Sequence, residues 1–354
     1  DVFEVAGGRL GVAAAFSFDD RNFGSDNIEA DGNFDFGQGE PGLEEIEERD
    51  YKAIGRRRLG FGINIDFETD LNNRYYVRSF YSDFEDDEER DANTIEFSEA
   101  LAEGAASGAL DEFEREGKQR TKIQEILSLS AGAEHILNKW TLSYEGSYSE
   151  ATELEEGDRG LRVEGAFTPE TPIQGVSFSG TRTPLLNKPG NALDPENFQL
   201  DEVNFERVDN EDEEIGASLD IKRDFRVRAY PASAQFGAKV TRRTKERDTN
   251  EWLIGADDFT ASGIDASRLG LENFSTGAAD WPLGAFGPSV NTGLVRDLAA
   301  EVGPLEDFVD EEASRVEDFE IDEDINAAYA MGTIDINSLR LVGGVRYEDT
   351  DQES

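Results

Sequence analysis

Read at every second residue, much of this chain splits into an oily row and a polar row. In "KWTLSYEGSY" (139–148), Trp140, Leu142, Tyr144, Gly146 and Tyr148 fall on one side, and Thr141, Ser143, Glu145 and Ser147 on the other. Side chains alternate faces along a strand, whereas a helix repeats every 3.6 residues, so the stretch is predicted to be a ribbon with one greasy face. The pattern recurs from end to end. "LGFGINIDF" sets Leu59, Phe61, Ile63, Ile65 and Phe67 against Gly60, Gly62, Asn64 and Asp66. "ASAQFGAKVT" sets Ala234, Phe236, Ala238 and Val240 against Ser233, Gln235, Gly237 and Lys239. "LSLSAGAE" (127–134), "IGASLDIK" (215–222) and "LRLVGGVRYE" (339–348) repeat it. A period of two predicts an all-β chain.

Eleven strands are predicted, over 8–18, 47–69, 74–84, 118–134, 139–149, 160–167, 173–181, 213–222, 233–246, 319–335 and 339–349. The connectors at 70–73, 135–138, 168–172, 223–232 and 336–338 are short. Those at 19–46, 85–117, 182–212 and 247–318 are long, and 150–159 is intermediate. Short and long alternate, so an up-and-down meander would gather short turns at one end and long loops at the other. Soluble sandwiches avoid structureless loops beyond ~12–15 residues. Outer-membrane barrels pair short periplasmic turns with long extracellular loops, and their strands need ~9–11 alternating residues. The expected fold is therefore an antiparallel up-and-down transmembrane β-barrel, partial over residues 1–354, with about eleven strands and long acidic extracellular loops. Two segments, 99–114 and 293–313, have helix-forming composition. A short helix and an unstructured acidic loop both fit each.

Charge narrows the partners. The chain holds 79 acids and 34 bases, a formal charge of −45. Nucleic acid and anionic surfaces would be repelled. The absence of cysteine excludes disulfides and thiolate chemistry. The single histidine, His135, lies in a turn-like "EHILNK", so a histidine metal cluster or a Ser–His–Asp triad is not expected. No stretch approaches the ~20 apolar residues of a membrane helix. The beginning "DVFEVAGGRL" and the end "YEDTDQES" read as those of an internal or mature segment.

Candidate sites were weighed against blander roles. The acid clusters at 83–91 and 305–324, and Asp31, Asn33 and Asp35 in "DGNFDFG", offer oxygens to Ca²⁺, although the spacing departs from a calcium loop. A solvated acidic surface is the favoured explanation of them. Carboxylate pairs for glycoside chemistry are not distinguished by any apolar setting, so no catalytic residue is assigned. Gly60 and Gly62 sit inside a strand and cradle no phosphate. In the longest predicted loop, Trp252, Phe274 and Trp281 are the candidate ligand-stacking residues, with Phe259 and Phe286 nearby. The alternative is that these rings form the loop's own core. Basic residues cluster at Arg56–Arg58 and at Arg242, Arg243, Lys245 and Arg247. They can pair with acidic loops or with lipid phosphates.

Three stretches carry a family resemblance: 56–90 ("RRRLGFGINIDFETDLNNRYYVRSFYSDFEDDEER"), 234–248 ("AQFGAKVTRRTKERD") and 324–351 ("DINAAYAMGTIDINSLRLVGGVRYEDTD"). They resemble TonB-dependent outer-membrane receptors, most nearly the branch associated with oligosaccharide uptake. The resemblance implies a 22-stranded barrel with a plugged lumen in the bacterial outer membrane. It also implies import of a scarce solute, an oligosaccharide or a ferric siderophore, powered through the periplasmic energy-coupling protein TonB. Neither the plug nor a closing aromatic-ended strand is recognisable in the sequence, so no family ligand residue is carried over. The expectation from another class is a secreted acidic β-rich binding or adhesin module of a salt-adapted organism.

Overall fold

The computed structural model describes residues 2–33, 42–157, 160–180 and 182–354. They form mainly antiparallel β-structure. One large sheet holds β1 (Val2–Val5), β2 (Gly8–Asn33), β3 (Gly42–Asp70), β4 (Asn73–Ala102), β5 (Leu110–Leu137), β6 (Trp140–Glu156), β7 (Arg162–Pro169), β10 (Phe198–Val227), β11 (Tyr230–Gly255), β14 (Phe319–Ile336) and β15 (Leu339–Glu353). Its order follows the chain, and both β6 and β7 lie between β5 and β10. Thr121 of β5 faces Glu156, and Gln119 faces Val163, so β7 continues the line of β6 after a short break. The small hairpin β8 (Ser177–Ser179) and β9 (Leu185–Asn187), and the pair β12 (Ser275–Ala278) and β13 (Pro288–Val290), stand apart.

Five hairpin turns at one end of the large sheet are two residues long: Ala6–Gly7, Leu71–Asn72, Asn138–Lys139, Arg228–Ala229 and Asn337–Ser338. Ala6, Asn138, Arg228 and Asn337 adopt φ of 50°, 64°, 57° and 53°. Left-handed residues in two-residue turns match the twist of the flanking strands. The longer connections lie at the opposite end, as the spacing predicted.

The strands run far beyond the predicted stretches. β4 and β10 have 30 residues each, about 100 Å of extended chain. Much of the predicted loops 19–46, 85–117 and 182–212 is strand, and the acids of 83–91 line β4 rather than a loop. His135 lies within β5, its ring bonded to Asn73 Oδ1 at 2.7 Å. The stretch 99–114 holds the end of β4, a turn and the start of β5 instead of a helix. The predicted wall strand 173–181 is reduced to the three residues of β8. The 293–313 region does carry helices, α2 (Thr292–Ala299) and the start of α3 (Glu311–Val316), beside α1 (Ala256–Ala261).

Residues opposed across antiparallel strands share a face, so the registers identify one continuous face. We call it the band face. Climbing from the turns, its last apolar residues are Phe18, Leu59, Tyr81, Leu127, Tyr148, Ile215, Val240, Ala328 and Tyr347 on successive wall positions. The next residues on that face are Asp20, Arg57, Asp83, Glu125, Glu150, Glu213, Arg242, Asn326 and Asp349. His135 and Arg223, low on the band, are the charged or titratable exceptions. Traced along the cross-strand pairs to β2, the boundary sits level with residue 18 for β2 and β3 and with 16 for β4 and β5. It drops to 14 for β6 and β10, 12 for β11, and 10 for β14 and β15. The apolar boundary thus steps by about one residue per strand against the hydrogen-bond rows.

Above this boundary the same face is covered by the chain itself. The segments 170–197 and 256–316 fold onto it and build the core. Ile46, Ile95, Phe113, Val163, Phe167, Leu200, Val203 and Ile254 come from the strands. Phe178, Leu186, Phe259, Leu271, Phe274, Val290, Val295 and Leu298 come from the covering segments. Gly165 leaves room for this packing, since a Cβ there would lie 2.8 Å from Val295. Buried Arg115 fastens both segments to β5. Its guanidinium donates to the carbonyls of Ala192 (3.0 Å), Phe286 (3.3 Å) and Pro288 (3.3 Å), and stacks on Phe198. Asp91 accepts from the Val290 N–H at 3.1 Å, and Lys188 pairs with Glu48, both side chains almost fully buried. Below the boundary nothing in the described residues covers the face. Phe16, Phe61, Leu129, Leu219, Phe236 and Val345 stand 69, 42, 40, 44, 55 and 76% exposed there.

Candidate functional site

The opposite face is mainly polar, with a few apolar residues such as Phe80 and Val342 among its rows. Near the turns it carries Asp66, Arg74, Tyr76, Arg78, Glu145, Asp220, Gln235 and Tyr329. Tyr76 donates to Glu145 at 2.9 Å, Arg78 pairs with Asp66 at 2.8 Å, and Tyr329 bonds both Asp220 and Gln235. Higher up, an ion ladder crosses β4, β5, β6/β7 and β10. Arg90 meets Glu116 at 2.9 Å, Lys118 meets Glu164 at 3.5 Å, and Arg162 joins Glu164 (3.0 Å), Glu155 (3.7 Å) and Glu206. Arg120 joins Glu88 at 2.7 Å and Glu155 at 3.5 Å. Burial alone would raise Glu164, but Lys118, Arg162 and Arg90 hold its carboxyl below the usual range. Glu114, beyond the reach of these cations, is pushed well above that range by burial and by its neighbour Glu116. Still nearer the long loops, Glu45, Glu96 and Glu112 stand directly opposite one another across three strands. Like charges in register repel, so this end of the face carries a strongly negative field.

Between the ladder and the lower polar network lies a cleft of about 450 Å³. Its apolar floor is Ile126 of β5, Ala151 of β6 and Phe319 of β14, with Ile126 44% and Phe319 36% exposed. Its polar rim comes from Gln124, Glu153, Asn210, Asp212, Lys245 and Arg247. Glu153 accepts from Lys122 (3.2 Å), from Asn210 (3.4 Å) and from Gln124. Asp212 is paired with Arg243, and Arg247 with Glu317. Lys245 Nζ lies 5.7 Å from the centre of the Phe319 ring. An aromatic and aliphatic floor ringed by amides, carboxylates and cations suits a ligand with one flat apolar side and several hydroxyl or carbonyl groups.

The aromatic residues singled out in the sequence are brought together elsewhere. Trp252 stands on β11, opposite Phe205, and bridges to Val309. It is half-buried against the core. Phe274 is 3% exposed, with its ring 5.5 Å from Phe167. Trp281 is 7% exposed, with its ring 5.2 Å from Phe286. All three pack in or against the core on the band face, remote from the polar-face cleft. Their rings are engaged with protein, adding apolar contact to the polar ties that Arg115, Asp91 and Lys188 make between sheet and covering segments. The cleft residues were not singled out in the sequence. One signal was present: Ile126 is an apolar residue on an otherwise polar row, between Gln124 and Ser128.

For calcium, Asp31 lies in β2, while Asp35 falls outside the described residues. Among the described residues no three Asp, Glu or His side chains are grouped to hold a metal ion. No family model, curated protein or solved structure matches this chain.

Proposed function

We propose that the chain is a stretch of wall from a bacterial outer-membrane β-barrel of the TonB-dependent receptor kind, which imports a scarce oligosaccharide or ferric siderophore. The band face meets lipid, and the polar face lines the solute's path with the Ile126–Phe319 cleft as a resting point. Energy coupling through TonB would act on a plug outside this stretch.

The stepped apolar boundary carries the reading. One residue per strand is ~3.3 Å of rise against ~4.8 Å of strand spacing, so the strands tilt by roughly 35° from a normal to the band. Transmembrane barrels tilt by about 35–45°. The apolar rows span nine residues on β2, β3, β6 and β15, about 30 Å of strand and roughly 25 Å of height at that tilt. That is about the lipid-facing height of outer-membrane barrels. A soluble sheet has no reason to end its uncovered apolar rows along a tilted line. The core above the boundary then stands outside the membrane. The same core is the observation that favours the alternative, a secreted acidic β-module with its own covering loops.

Trp140 tests the choice, because it lies low on the band face, 42% exposed, while Trp252 and Trp281 lie high in the core. In the protein reconstituted with brominated lipids, the fluorescence difference between wild type and Trp140→Phe should be strongly quenched. Quenching equal to that in unbrominated lipid would exclude the wall. In the full-length receptor, Phe319→Ala should lower solute uptake at unchanged barrel yield. Unchanged uptake would remove the cleft from the pathway without touching the membrane reading.

A further inference from the structure

A second cavity, of about 370 Å³, opens on the band face above the apolar boundary, where the loop holding β12 and β13 meets β2 and β3. Its walls include Ser25, Asp26, Asp50, Tyr51, Thr276 and Asp280. Asp50 is the unusual member. It is only 6% exposed, lines the cavity, and accepts no side-chain hydrogen bond from any described residue. Its carboxylate faces the cavity and no protein donor, so its partners must come from what fills the cavity.

The nearest candidate cation is already committed. A bulge between Tyr51 and Ala53 turns Lys52 towards the loop. Its ammonium meets Asp91 at 3.0 Å, Glu89 at 3.2 Å and the Val290 carbonyl at 2.7 Å. An ammonium has three N–H donors, and these three acceptors occupy them. Asp26, Asp50 and Asp280 are therefore left as three carboxylates around one cavity. They are not clustered tightly enough to form a metal site. An organic ammonium asks for less, since each N–H needs a single acceptor, and Asp26 stands directly opposite Asp50 on the same face.

We propose that this cavity binds a protonated primary amine, with Asp50 as its counter-ion and Asp280 closing the site from the loop. The assignment does not depend on the membrane reading, because the cavity stands on the core above the band.

The test is calorimetric titration of the whole chain at pH 7.5 with glucosamine, with glucose as its neutral counterpart, and with CaCl₂. Glucosamine should saturate one site and glucose should not. Asp50→Asn should weaken glucosamine binding by about tenfold or more, the scale of one lost charge-assisted contact, with the near-ultraviolet dichroism of the folded protein retained. Should that variant misfold, exposed Asp280→Asn supplies the same readout with a smaller loss. Burial, helped by Asp91, Asp26 and Asp280 and opposed by Lys52, raises the Asp50 carboxyl to about 6. Binding should therefore fade between pH 7.5 and 5. Equal binding of glucose, no saturation by glucosamine, indifference to both variants, or Asp50-dependent uptake of calcium in place of glucosamine would each overturn the proposal.

Discussion

At the residue scale, the loop aromatics show how one side chain has one task. Trp281 packs on Phe286, whose carbonyl also accepts from buried Arg115 and from Asn93. Removing the indole leaves a cavity beneath the segment and loosens that grip. We expect Trp281→Ala to lower unfolding stability by about 2–4 kcal/mol in denaturant titration, and to open 256–316 to limited proteolysis. Leu294→Ala, at a position 43% exposed, should change neither. If Trp281→Ala unfolds like the wild type, the ring is free for a ligand after all. The sequence offered both roles for these rings and favoured packing, in the loop's own core or on the rim, but an aromatic residue in a polar loop does not reveal which surface it meets. The charges that decide the packing, Arg115, Lys188, Glu48 and Asp91, were illegible for a related reason. Their partners are 39 to 199 positions away, several of them backbone groups, and neither feature leaves a local pattern.

At the scale of the strand, the lower halves were legible and the upper halves were not. Below the boundary one face carries apolar rows that no described residue covers, so hydropathy alternates cleanly. Above it, both faces are mixed, because the band face takes buried charges and the polar face is a charge ladder. Bulges at Phe23/Ser25, Tyr51/Ala53 and Glu96/Phe97 also shift the phase, so a period-two reading loses step just where the strands continue. Two outcomes test this division. Leu219 lies mid-band on β10, with Ser218 beside it on the opposite face. Leu219→Arg should cost about 2–4 kcal/mol of folding in lipid, and Ser218→Arg much less. Equal costs, measured by reversible unfolding in bilayers, would remove the distinction between faces. On the ladder of β5, Glu114 has its folded pKa raised by burial and by Glu116. A carboxyl raised on folding adds stability that is present at low pH and is lost as pH rises through the folded value. Glu114→Gln should therefore raise the melting temperature at pH 9 and leave it unchanged at pH 4. A gain at pH 4 as large as at pH 9 would mean that its charge is irrelevant.

For the molecule as a whole, the strands carry a geometric statement that no single residue makes. The registers come from backbone pairing and the apolar boundary from side-chain chemistry, so a steady drift of about one residue per strand between them is built into neither. The turns drift in the same sense. β2 leaves its turn one residue below Arg9, whereas β15 leaves its turn seven residues below Arg346, which stands on the same cross-strand row. Both ends of the apolar band are thus cut obliquely to the hydrogen bonds, as a planar slab of lipid would require of tilted strands. β15 is exposed along all 15 residues, and in lipid the unpaired backbone groups of such an edge would be costly. Polarised infrared spectroscopy of the protein in oriented bilayers measures the tilt directly. The amide I dichroism should give a mean strand tilt of roughly 30–45° from the membrane normal. Strands lying in the membrane plane, or with no preferred direction, would leave the oblique boundary without a cause and return the bare apolar face to the interior of some soluble assembly.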